Sequence, residues 1–136
     1  KTASWVRKVF EEFYTDKPDG LCGNEDVGQM SAWYNLSALG FYSVNPANGA
    51  YVFGSPAVSS ASISVAGNKT FNVKAVNNTK ENVYIQKVTL NGKPYTKSYI
   101  THKDILKGGT LTFYMGSKPS AFGSKKADRP ISNKVY

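Results

Sequence analysis

The sequence predicts an α+β chain, in which two N-terminal helices from a helical (α/α) barrel precede a mainly antiparallel β-sandwich-like segment. Three observations lead there. Trp5, Val6, Val9, Phe10 and Phe13 recur at helical spacing. Beyond Pro46 the apolar residues alternate with period two: Ile63 and Val65; Phe71, Val73 and Ala75; Val83 and Ile85; Leu111, Phe113 and Met115. Asn91-Gly92 separates Val88-Thr89-Leu90 from Pro94-Tyr95, a hairpin signal because both turn positions need positive φ.

The first helix is expected to run to about Tyr14, where Lys17-Pro18-Asp19-Gly20 stops it, since proline disfavours helix in its predecessor and Asp-Gly suits a tight turn. A second helix is expected from near Gly28 to Gly40. Met30, Trp33, Tyr34 and Leu36 give it bulk, while Ser31, Ala32, Ser37 and Ala38 let another backbone come close. Two helices alone leave much of this aromatic surface in water, so neighbouring helices of a larger barrel are expected. Gly67-Asn68 reads as a second hairpin turn. Thr101 to Leu106 reads as a short helix, started by Thr101 or His102 and closed by Gly108-Gly109. Ser117 to Tyr136 lacks apolar periodicity and reads as an extended tail. The expected regions are therefore residues 1–45, terminal helices and their loop; 46–116, β-rich; and 117–136, tail.

With 136 residues and 40% hydrophobic content, the chain has the size of one domain. No apolar run approaches the ~18 residues of a membrane-spanning helix. Lys1-Thr2-Ala3-Ser4-Trp5 carries neither an initiator methionine nor the regions of a signal peptide, and a helix follows at once, so a C-terminal piece of a longer protein is expected. Residues 1–34 hold four Lys/Arg against six Asp/Glu, and residues 35–136 hold thirteen against three. Twelve of those thirteen cations are lysines, scattered apart from Lys125-Lys126, which suits a solvated face better than nucleic-acid recognition. Cys22 is the only cysteine, which excludes an intrachain disulfide and a cysteine-rich zinc site, and packing is its expected role. His102 is the only histidine, and an exposed or helix-start role is expected for it.

The densest polar cluster is Asp19-Gly20-Leu21-Cys22-Gly23-Asn24-Glu25-Asp26-Val27-Gly28-Gln29, between the two helices. Loops fixed by rigid elements often carry active sites. Asp26 followed three residues later by Gln29 reads as an aspartate variant of the capping box. A helix dipole favours the ionised carboxylate, so a cap and a general base are compatible roles.

The run from Gly20 to Tyr34, with Ser37-Ala38-Leu39-Gly40-Phe41-Tyr42 after it, resembles the signature near the C-terminus of glycoside hydrolase family 92. Tyr51-Val52-Phe53-Gly54-Ser55-Pro56, Leu90-Asn91-Gly92-Lys93-Pro94-Tyr95, Gly108-Gly109-Thr110-Leu111 and Met115-Gly116 are similar to the family's final β segment, and the likeness covers about Lys1 to Gly123. The resemblance implies a calcium-dependent, exo-acting, inverting α-mannosidase, secreted or periplasmic and bacterial, acting on mannose-containing glycans. It implies Asp26 as the general base and, secondarily, as a metal ligand. Asn24 stands where the family pattern has a second aspartate, which leaves it to orient water or a sugar hydroxyl, and Glu25 is expected to bind substrate. The acid is implied to be a glutamate upstream in the remainder of the parent catalytic domain, so the isolated chain is expected to be inactive. The competing expectation is a non-catalytic carbohydrate-binding or structural β-sandwich module.

Overall fold

In the computed structural model, which describes residues 1–130, helices α1 (Thr2–Phe13) and α2 (Gln29–Ala38) precede eight strands and one further short helix. The strands are β1 (Phe41–Asn45), β2 (Ala50–Phe53), β3 (Ser60–Val65), β4 (Lys69–Val76), β5 (Tyr84–Leu90), β6 (Lys93–Tyr95), β7 (Tyr99–Thr101) and β8 (Gly109–Gly116), with α3 (His102–Leu106) between the last two. They form an antiparallel sheet in the order β1-β2-β7 and a five-stranded sheet in the order β3-β4-β8-β5-β6. The second sheet is antiparallel except where β4 runs parallel to β8.

One core joins the two sheets. The alternation of β4 and β8 turns Phe71, Val73, Leu111 and Phe113 inward to complete burial. From the smaller sheet, Phe41, Phe53 and Ile100 meet them, with the Phe53 and Phe113 rings edge to face at 5.1 Å. Asn91 and Gly92 take positive φ and set Leu90 opposite Lys93, and Gly67 and Asn68 do the same between β3 and β4. Thr101 starts α3, its hydroxyl accepting the Asp104 N–H at 3.2 Å.

Two boundaries differ from the sequence reading. Residues 41–45, assigned to the helical region, form β1, because Gly40 at φ 95° ends α2 abruptly and Phe41 then pairs with Phe53. A Cβ on Gly40 would stand 3.0 Å from the Phe113 ring, so only glycine lets the chain turn this close to the core. The expected tail is irregular yet anchored over its described part: Phe122 packs on the core, the Ser120 hydroxyl donates to Ile85 O at 2.6 Å, and Ser98 N–H donates to Asp128 O at 2.7 Å. The remainder of that expectation, 131–136, lies outside the described residues.

The helices are joined to this core by few but specific contacts. Phe10 of α1 and Tyr14 just beyond it pack on Trp33 and Tyr34 of α2, at ring separations from 4.9 to 5.6 Å. From α1, Arg7 donates to Ser55 Oγ at 3.0 Å, and to Pro56 O and Asn78 Oδ1. Burial lowers the guanidinium pKa, with Glu11 opposing. Ser55 is fully buried and its hydroxyl donates to Val83 O at 2.8 Å, so a polar chain runs from α1 to the residue before β5.

Candidate functional site

The loop between α1 and α2 is closed at its neck. Tyr14 and Leu21 form an antiparallel bridge, Thr15 N–H donates to Gly20 O at 2.9 Å, and Gly20 N–H donates to Lys17 O at 2.9 Å. A Cβ at Gly20 would fall 2.2 Å from Thr15 O, so this glycine serves the closeness of the neck and leaves no room for a ligand there. Tyr14 Oη then donates to Met30 O at 3.1 Å, tying the end of α1 to the first turn of α2. Burial, with Cys22, Glu25 and Tyr42 nearby, raises the Tyr14 pKa and keeps it a donor.

Beyond the neck the chain exposes Cys22, Gly23 and Asn24, so Cys22 is not the packing residue expected. Asp26 and Val27 then take left-handed conformations, φ 47° and 62°, followed by Gly28 at 87°. A β-branched residue at positive φ is an outlier, and each such non-glycine residue costs roughly 1–2 kcal/mol. Strain of this kind collects at functional loops.

Asp26 is not the cap of α2. Gly28 occupies the N-cap position and no side chain of its own caps the helix. The Asp26 carbonyl accepts from Gln29 N–H at 3.4 Å, but it is the Glu25 side chain, not that of Asp26, that reaches a first-turn N–H. Glu25 O accepts from Gln29 N–H at 2.9 Å and from Met30 N–H at 3.4 Å, while Glu25 Oε1 accepts from Ser31 N–H at 3.1 Å. Three first-turn donors of α2 thus converge on one residue, Gln29 N–H being shared with Asp26 O. Glu25 Oε2 is buried without a partner among the described residues.

The loop therefore brings Asn24, Glu25 and Asp26 into one turn but gives them different settings: Asn24 and Asp26 exposed, Glu25 half-buried against the helix. Beside it a cleft of about 380 Å³ is lined by Tyr14, Asp16, Leu21, Ser31, Tyr34 and neighbouring residues, with Asp26 outside that lining. The roles of Tyr14 and Ser31 were not anticipated from sequence. Tyr14 was legible only as the end of a helix, and Ser31 contributes its backbone, which carries no sequence signal. His102 sits in the first turn of α3, 3.3 Å from Tyr51 Oη and remote in sequence from this loop.

Calcium takes six to eight oxygen ligands. Among the described residues no three His, Cys, Asp or Glu side chains gather where they could hold a metal.

Residues 1–117 match the family model described as the glycosyl hydrolase family 92 catalytic domain. A family GH92 alpha-mannosidase from Bacteroides thetaiotaomicron, solved with mannoimidazole, superposes with a TM-score of 0.90 at 37% identity over 96% of this chain and 17% of its own. A family GH92 inverting mannosidase from the same organism gives 0.89 at 39% identity over 96% of this chain and 18% of its own. An uncharacterised secreted glycosidase from Arthroderma benhamiae is 38% identical over 123 residues, 88% of this chain and 16% of that protein. The chain thus spans less than a fifth of the length of these relatives.

Proposed function

We propose, from the premise that this chain belongs to glycosyl hydrolase family 92, that it supplies the general-base loop of an inverting α-mannosidase acting on terminal α-linked mannose. The observation that carries the reading is the strained turn at Asp26-Val27, which holds an exposed carboxylate clear of the helix it precedes. A carboxylate not engaged in capping has lone pairs free for a water proton.

In an inverting reaction, a base takes a proton from water as that water attacks the anomeric carbon, while an acid protonates the departing oxygen from the opposite side. The two carboxyl groups stand ~6.5–9.5 Å apart to admit the water. Asp26 takes the first role. Glu25 is an unsuitable acid, because one of its oxygens is tied to Ser31 N–H and its neighbour is the base itself. The acid belongs to the remainder of the catalytic domain, as do most ligands of the calcium that the family resemblance implies, so this chain alone turns over no mannoside. Asn24, exposed two residues before Asp26, orients the attacking water or a sugar hydroxyl.

The alternative of a free-standing carbohydrate-binding sandwich loses ground because the family match runs unbroken through helices and strands. Arg7 also ties α1 to the sheet. The test is Asp26→Ala in the whole enzyme with an α-mannoside substrate. Loss of a general base is expected to lower kcat by about 10²–10⁴-fold. Turnover within a few-fold of the unaltered enzyme overturns the assignment.

A further inference from the structure

We infer that Glu25 is a positioning residue for Asp26, acting by reach to the helix and not by its charge, an inference that rests on reading Asp26 as the base. The chain must enter the Asp26-Val27-Gly28 turn from a fixed point and leave it into a fixed helix for the strained conformations to persist. Glu25 supplies both ends of that constraint. Its carbonyl lies immediately before the turn and receives Gln29 and Met30 N–H; its side chain crosses the turn and receives Ser31 N–H at 3.1 Å. The residues between the clasp points are those with positive φ. Relaxation of Asp26 or Val27 to ordinary backbone angles therefore requires these bonds to part.

The side-chain half of the clasp can be altered without touching the backbone half. Gln keeps an acceptor oxygen at the same distance along the side chain and places an amide where Oε2 has no partner. Asp keeps the charge and falls one methylene short of Ser31. The experiment compares Glu25→Gln and Glu25→Asp in the whole enzyme, each first shown to fold by its melting transition, with Asp26→Ala as a separate arm.

Positioning predicts that Glu25→Gln retains kcat within about threefold, whereas Glu25→Asp loses about 10–100-fold in kcat with KM little changed, the size expected when a reacting group is misplaced by about an ångström. The reverse order, with Asp active and Gln inactive, shows that the charge acts directly and overturns the inference. Equal retention or equal loss in the two variants overturns it as well. Full activity of Asp26→Ala, in contrast, removes the base reading itself, whatever the Glu25 variants do.

Discussion

Asp26 and Glu25 show how one peptide bond separates two kinds of carboxylate. The sequence spacing of Asp26 and Gln29 suggested a capping box, a pattern that presumes extended backbone at the cap. Positive φ at Asp26, Val27 and Gly28 breaks that presumption, and the preceding residue takes over the helix end. Val27 bears the conformational penalty with its side chain fully exposed, so little packing holds it there. Asn tolerates left-handed backbone better, and Val27→Asn is expected to raise stability by about 1 kcal/mol in denaturant titration; a loss of stability contradicts the strain. Tyr95 gives a pH signature elsewhere in the fold. Burial, with Asp104 and Tyr99 nearby, pushes its pKa up to about 12, and its hydroxyl donates to Tyr99 O at 3.0 Å. The folded state holds this proton more tightly than the unfolded one, so this contribution is complete below about pH 10 and is lost as pH rises through about 12. Thermal melts across that range should fall more steeply for the natural chain than for Tyr95→Phe.

At the scale of elements, α1 depends on polar anchoring more than on burial. None of its residues is fully buried, and Trp5 and Phe13 remain largely exposed. Arg7 is what fastens it, and Arg7→Met leaves the Pro56 and Asn78 acceptors without their donor. The expected cost is about 1–3 kcal/mol, seen as faster amide exchange and earlier proteolysis in α1 with the sheets less affected; unchanged protection of α1 contradicts this anchoring. The hairpins, α2 and α3 were legible because their signals are local: glycine and asparagine at turn positions, a threonine cap, a periodic face. The parallel pairing of β4 with β8 was not, because Phe71 and Gly109 become partners only when the core assembles. β1 was hidden for a similar reason, its short run following α2 without a polar break.

For the whole molecule, composition and alternation made the α+β class legible, and the run from Gly20 to Tyr34 made the family legible. The site was legible as a loop and illegible as a geometry, since no residue type announces that Glu25 will reach Ser31 N–H or that Val27 will sit at φ 62°. Trp5, Phe13, Val27 and Tyr34 give the helical end an exposed apolar surface. The sheets, by contrast, cover their own core.

The assignment of Asp26 as base predicts more than a loss of rate, because an anionic nucleophile needs no proton removed. Whole enzyme carrying Asp26→Ala, given azide and an activated α-mannoside, should recover turnover and release β-mannosyl azide, identifiable by proton NMR. Failure of azide to restore any turnover while the acid-dependent chemistry remains intact, or recovery of only the α-anomer, contradicts a base positioned by this loop for attack with inversion.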